Sequence, residues 1–178
     1  MTRVARTLWD LLIGPGHNKP KRPRSPGKRN PAKPRPSPTQ QRYDALVEEM
    51  KRTYDVRVRK WRTSSTGCAW IVRYSNGDEQ RLIESPYPRG PMSCAIFLHE
   101  IGHHAIGFGR YKPRCLEEFH AWMWALEMMR HRGLNVTEAV QRRMARSLGY
   151  AIAKARRRGL RALPPELLQF ELSAGHAD

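Results

Sequence analysis

Leu98-His99-Glu100-Ile101-Gly102-His103-His104 is the stretch whose reading decides the fold. It places H-E-x-x-H between two apolar flanks, Cys94-Ala95-Ile96-Phe97-Leu98 before it and Ala105-Ile106-Gly107-Phe108 after it. A run that is apolar on every side predicts a buried helix, expected from Met92 to Ile106. On such a helix residues four apart share a face, so His99 and His103 can converge on one ion, while Glu100 falls beside that ion rather than on it. A Zn²⁺ ion held by two imidazoles needs a third protein ligand and an open position for water, and Glu100 would then be the base that takes the water's proton.

Upstream of the motif, Tyr43, Leu46, Val47, Met50 and Tyr54 recur at helical spacing, and Thr39 is the expected cap of that helix. Val56, Val58 and Lys60 alternate with Arg57, Arg59 and Trp61, the pattern of a strand with one apolar face. Cys68 to Tyr74 and Gln80 to Glu84 flank Asn76-Gly77, a strong hairpin signal. The expectation is a small antiparallel sheet of about three strands, with Gln80 to Glu84 as an open strand able to hold an extended peptide. Downstream, one helix begins near Cys115 and ends at Gly133. Another starts at Thr137 and runs to Gly159, with Val140, Met144, Leu148 and Ile152 on one side and Arg142, Arg143, Arg146, Lys154, Arg156, Arg157 and Arg158 elsewhere. Pro164-Pro165 opens a last short turn.

The second of these helices carries three candidates for the third ligand, Glu117, Glu118 and His120, and one helix cannot aim all three at one point. The string Glu118-Phe119-His120-Ala121-Trp122-Met123-Trp124-Ala125 resembles the E-x-x-A-N-x-F-A string that follows H-E-x-x-H in the ImmA/IrrE family of zinc-peptidase-like proteins. Ala121, Trp124 and Ala125 match in place, and Trp122 stands where that family usually has Asn. The resemblance covers about residues 39–130. It implies a zincin-like minimal metallopeptidase domain of α+β class, in which a small sheet packs with the motif helix and the ligand helix follows. By the same resemblance Glu118 is the third metal ligand beside His99 and His103. The activity implied is hydrolysis of a peptide bond in a protein substrate, with Glu100 as general base and acid; some members of that family act on transcriptional repressors. For the oxyanion the residues offer His104, Tyr111 and His120 as donors.

Charge divides the chain. Eleven of its 33 Lys and Arg lie in residues 1–42 against the single acid Asp10, and the formal net charge of the whole is +17. Residues 1–38 read as a basic, Pro-rich tail, with a short amphipathic helix over residues 2–13 and too little apolar content elsewhere to bury; residues 39–178 read as the folded domain. A basic tail and a basic late helix favour polyanionic neighbours, so the alternative to an enzyme is a nucleic-acid-associated protein whose zinc site is structural or inactive. Cys68, Cys94 and Cys115 show no C-x-x-C spacing, which argues against a disulfide framework and fits a reducing, cytoplasmic setting. Leu8 to Ile13 is short and interrupted by Asp10, so it is expected to be neither a signal peptide nor, at far less than about 20 apolar residues, a membrane span.

Overall fold

Among the described residues the first helix starts at a serine followed by a proline. The computed structural model describes residues 36–175, and their side chains as far as residue 171; the helix expected over residues 2–13 and the tail to residue 35 lie outside the described residues. Ser37 caps α1 (Pro38–Thr53) by accepting a hydrogen bond from Gln40 N at 3.2 Å, and Pro38 sits in the first turn, where a missing N–H costs nothing. The cap is therefore Ser37, and the expected Thr39 lies within the first turn. Tyr43, Leu46, Val47 and Met50 form the buried face of α1.

The sheet differs from expectation. Its strands are β1 (Val56–Arg62), β2 (Cys68–Arg73) and β3 (Glu79–Pro86), in spatial order β1-β3-β2, with β1 parallel and β2 antiparallel to β3. It is a mixed sheet, not an antiparallel one. The β2–β3 hairpin is the one the sequence predicts: Gly77 has φ 90°, and the Asn76 side chain accepts from Asp78 N at 3.1 Å. The segment 63–67 links β1 to β2 across the end of β3, a distance of two strand spacings, or roughly 10 Å, which five residues span easily. The physical reason is the character of the strands. β3 carries the buried residues Leu82, Ile83 and Ser85 and takes the centre, whereas β1, with Arg57, Arg59, Lys60 and Arg62, suits an edge. Because β3 is paired on both sides, Gln80 to Glu84 is not open to an added strand; among the described residues the sheet's edges are β1 and β2. A bulge between Val58 and Lys60 reverses the alternation of β1, and Trp61 turns against Phe97 and Tyr87, with ring centroids 6.0 and 4.7 Å away.

The motif helix, α2 (Pro91–Ile106), is the axis of the fold. Every residue from Cys94 to His104 is buried, as an all-round apolar helix requires. Ser93 Oγ accepts from Gly90 N at 3.2 Å to close its start, and Gly107, at φ 84°, ends it. One face of α2 rests on the sheet and another on α3 (Arg114–His131). These helices cross at Gly102: a Cβ there would come 2.8 Å from Ala121 O and 3.3 Å from the Trp124 ring, so only glycine allows the approach. α4 (Glu138–Arg157), capped by Thr137, docks through Val140, Met144, Leu148 and Ile152, each buried aliphatic side chain contributing roughly 1.5–3 kcal/mol. A 3-10 helix (Pro165–Gly175) packs on α4 with Leu167 fully buried. The architecture is α+β, and no helix among the described residues is long and apolar enough to cross a membrane.

Candidate metal centre

Two helices build the site. α2 presents His99 and His103 one turn apart on its α3 side, and their rings lie edge to face with centroids 4.8 Å apart. The N-terminal part of α3 brings Glu118 to both: its Oε2 is 3.3 Å from His99 Nε2 and 3.5 Å from His103 Nε2. The three ligand atoms fall within 4.8 Å of one another. Donors about 2.0–2.1 Å from a tetrahedral ion stand roughly 3.3 Å apart, so the two histidine–carboxylate distances have the spacing of a shared first coordination sphere. Two imidazole nitrogens and one carboxylate oxygen form a donor set suited to a borderline-soft divalent cation.

The rivals for Glu118 are placed elsewhere. Glu117 turns to the other ring nitrogen of His103, with Oε1 3.3 Å from Nδ1, a charge contact outside good hydrogen-bond alignment. Its Oε2 accepts from Gly109 N at 2.7 Å. The Glu117 side chain is only 2 % exposed while that of Glu118 is 24 % exposed, so Glu118 alone of the pair reaches open space. Arg114, at the start of α3, holds both acids: Nη1 is 2.8 Å from Glu117 and Nε 3.1 Å from Glu118. His120 is outside the group and stacks on Tyr111 at 3.8 Å between centroids. Trp122 stacks on the His99 imidazole at 4.4 Å and 22°, fixing the ring by its flat face. Neither Trp122 Nε1 nor His99 Nδ1 has a hydrogen-bond partner among the described residues.

Burial and charge act on these groups in opposite directions. Burial pushes the His99 imidazole down to about 4, leaving it neutral, the form that ligates. Burial also pulls His103 down, but its contacts with Glu117 and Glu118 outweigh this and carry it up to about 9. Burial raises Glu118, yet the two imidazoles hold it well below the usual carboxylate range. A cluster that draws a proton onto His103 is one that favours positive charge. Glu100, buried and without a ligand role in the group, is pushed up to about 7 by burial. Its carboxyl lies against the backbone of Gly67, where an added Cβ would come 2.7 Å from Glu100 Cδ and displace it.

None of the three oxyanion donors expected from sequence faces the opening. His104 is buried and its Nε2 lies 3.1 Å from Leu82 O, tying α2 to the central strand, while Tyr111 and His120 cover one another. The opening itself is a cleft of about 1110 Å³, with His99, Glu100, Glu118 and Trp122 on one wall and Arg143, Arg146, Tyr150, Lys154 and Arg158 of α4 and its end on the other. Arg143 donates to Ser65 O at 3.0 Å, joining α4 to the loop that passes Glu100. Sequence reasoning missed this second wall. The signal was present as three- and four-residue spacing from Arg143 to Arg158, on the flank of the apolar stripe.

Together these features define an α+β chain with a partly open His–His–Glu group able to hold a metal ion. In comparisons with known proteins, no family model matches the chain, and no curated protein or solved structure matches it.

Proposed function

We propose that the chain is a zinc-dependent metallopeptidase of the ImmA/IrrE kind its sequence resembles, with a zincin-like arrangement of motif helix and ligand helix. The observation that carries this reading is the convergence of His99 Nε2, His103 Nε2 and Glu118 Oε2, with the Glu100 carboxyl in the same cleft but outside the ligand group. His99, His103 and Glu118 would hold the ion. When bound, zinc supplies Lewis-acid polarisation of a carbonyl and makes water more acidic. Glu100 takes the water's proton and passes it to the leaving amide nitrogen. Gly67 leaves room for that carboxyl, Trp122 keeps the His99 ring from turning, and Glu117 with Arg114 steadies His103 and Glu118. The substrate class is protein, a regulatory protein such as a repressor by the resemblance, and the three free cysteines fit a reducing, cytoplasmic compartment.

The nucleic-acid reading, with a structural or inactive zinc site, draws on the α4 cations and on the basic tail. Glu100→Gln separates the two readings. With zinc-loaded full-length protein and a library of quenched fluorescent peptides, the variant is expected to keep one metal equivalent and lose at least about 100-fold in cleavage. Wild-type protein that holds zinc and cleaves nothing, or a variant that cleaves at the wild-type rate, would overturn the peptidase reading.

A further inference from the structure

The geometry points to an acidic, apolar-interleaved peptide segment as the occupant of the cleft, bound by the cations of α4 while its backbone passes the metal centre. This inference rests on the peptidase reading and names the class of substrate that reading leaves open. Five cations and two carboxylates line the cleft; the two carboxylates, Glu100 and Glu118, and one cation, Arg114, belong to the metal site. The other four, Arg143, Arg146, Lys154 and Arg158, stand on the α4 wall. Arg143 is engaged with the Ser65 carbonyl, but Arg146, Lys154 and Arg158 are exposed and have no carboxylate within 4.0 Å among the described residues.

Their spacing gives the length of the occupant. From Arg146 to Arg158 α4 and its end rise about 18 Å, which an extended peptide covers in about five or six residues. Between the cations the walls are apolar, with Ile96 and Trp122 on one side and Ala151, Ala155 and Leu160 on the other. Alternation of this kind suits carboxylates separated by aliphatic side chains, since guanidinium groups pair with carboxylates in matched geometry. A single-stranded nucleic acid fits less well. Binding of that kind uses a row of open aromatic faces, and of the two aromatic residues in the cleft Trp122 already has a face covered by His99, leaving Tyr150 alone. Its backbone also carries a charge at every unit past Glu100 and Glu118, whereas a peptide backbone there is neutral and keeps its carboxylates on the side facing α4.

The test uses full-length, zinc-loaded protein and three fluorescein-labelled probes: a decapeptide of alternating Glu and Leu, its Lys and Leu counterpart, and a ten-residue thymidine oligonucleotide. Binding is read by anisotropy at low salt and cleavage separately by mass spectrometry. The Glu/Leu peptide is expected to bind at least about tenfold more tightly than either other probe. The combined variant Arg146→Glu, Lys154→Glu, Arg158→Glu should lose about tenfold or more of that affinity at unchanged zinc content, whereas Arg52→Glu, Lys60→Glu, Arg130→Glu, with the same change in net charge outside the cleft, should stay within about twofold. If the first variant fails to fold, the Gln versions of the same three residues are read in its place, with a smaller loss expected. Equal binding of the Lys/Leu peptide, equal loss in both charge-reversed variants, or an oligonucleotide bound as tightly as the Glu/Leu peptide would each overturn the inference. Selective binding with no cleavage would instead retain the docking surface and remove the peptidase reading.

Discussion

The two walls of the cleft are made by opposite means. On the α2–α3 wall His99, His103, Glu100 and Glu117 are buried, Glu118 is part-buried, and the groups are held by their neighbours: Trp122 on His99, Glu117 on His103, the exposed Arg114 on both glutamates, Gly67 against Glu100. On the α4 wall Arg146, Lys154 and Arg158 are exposed and, unlike the part-buried Arg143, carry no partner of opposite charge or carbonyl among the described residues. Rigid placement is what a coordination site needs, because donors displaced by an ångström no longer share an ion. Loose, solvated cations serve attraction at a distance and cost little to keep in water. The difference teaches that substitutions should be severe on one wall and mild on the other.

The largest expected effect tests the order within the buried wall. Glu118→Gln should weaken zinc binding by well over about 100-fold, while Glu117→Gln, which removes only a support for His103, should weaken it about 10- to 100-fold. Competition with a chromogenic chelator measures both, and equal losses would remove the distinction between ligand and support. Next comes the crossing that brings Glu118 to the histidines. Gly102→Ala puts a methyl against Ala121 O and should destabilise the fold by about 1–3 kcal/mol in chemical denaturation; an unchanged midpoint would show that α2 and α3 can separate freely. Smallest is the effect on the open wall. Arg146→Ala should change stability by less than about 0.5 kcal/mol and leave zinc content unchanged, and a larger loss would mean that α4 is tied to the fold by its cations as well as by its apolar stripe.

Much of the α2–α3 wall is legible in the sequence because it depends on local geometry. The spacing of His99 and His103 on one helix face follows from 3.6 residues per turn, and the apolar flanks mark that helix as buried. The hairpin at Asn76-Gly77 is legible for the same reason, since a positive φ is a demand made on a single residue. Sheet order was not legible. Sequence proximity favours pairing β1 with β2, but β3, the most deeply buried strand although β2 is richer in apolar residues, takes the centre, a choice that depends on what each face packs against. The reach of His104 to Leu82 O and of Arg143 to Ser65 O were hidden likewise, because each joins elements many residues apart.

By itself the sequence determined the helices, the hairpin, the pair of histidines and the short list of acids that could join them, all set by periodicity along one segment. Between Glu117 and Glu118 the residues themselves left the choice open and only the resemblance favoured Glu118; the tertiary structure brings Glu118, not Glu117, into the group with both Nε2 atoms. The two are adjacent on α3 and equal in chemistry, and the approach of α2 at Gly102 puts one beside Nδ1 of His103 and the other between the two Nε2 atoms. It also decided that the basic flank of α4 faces the His–His–Glu group, since a stripe of charge specifies a side of a helix but not its neighbour across a cleft.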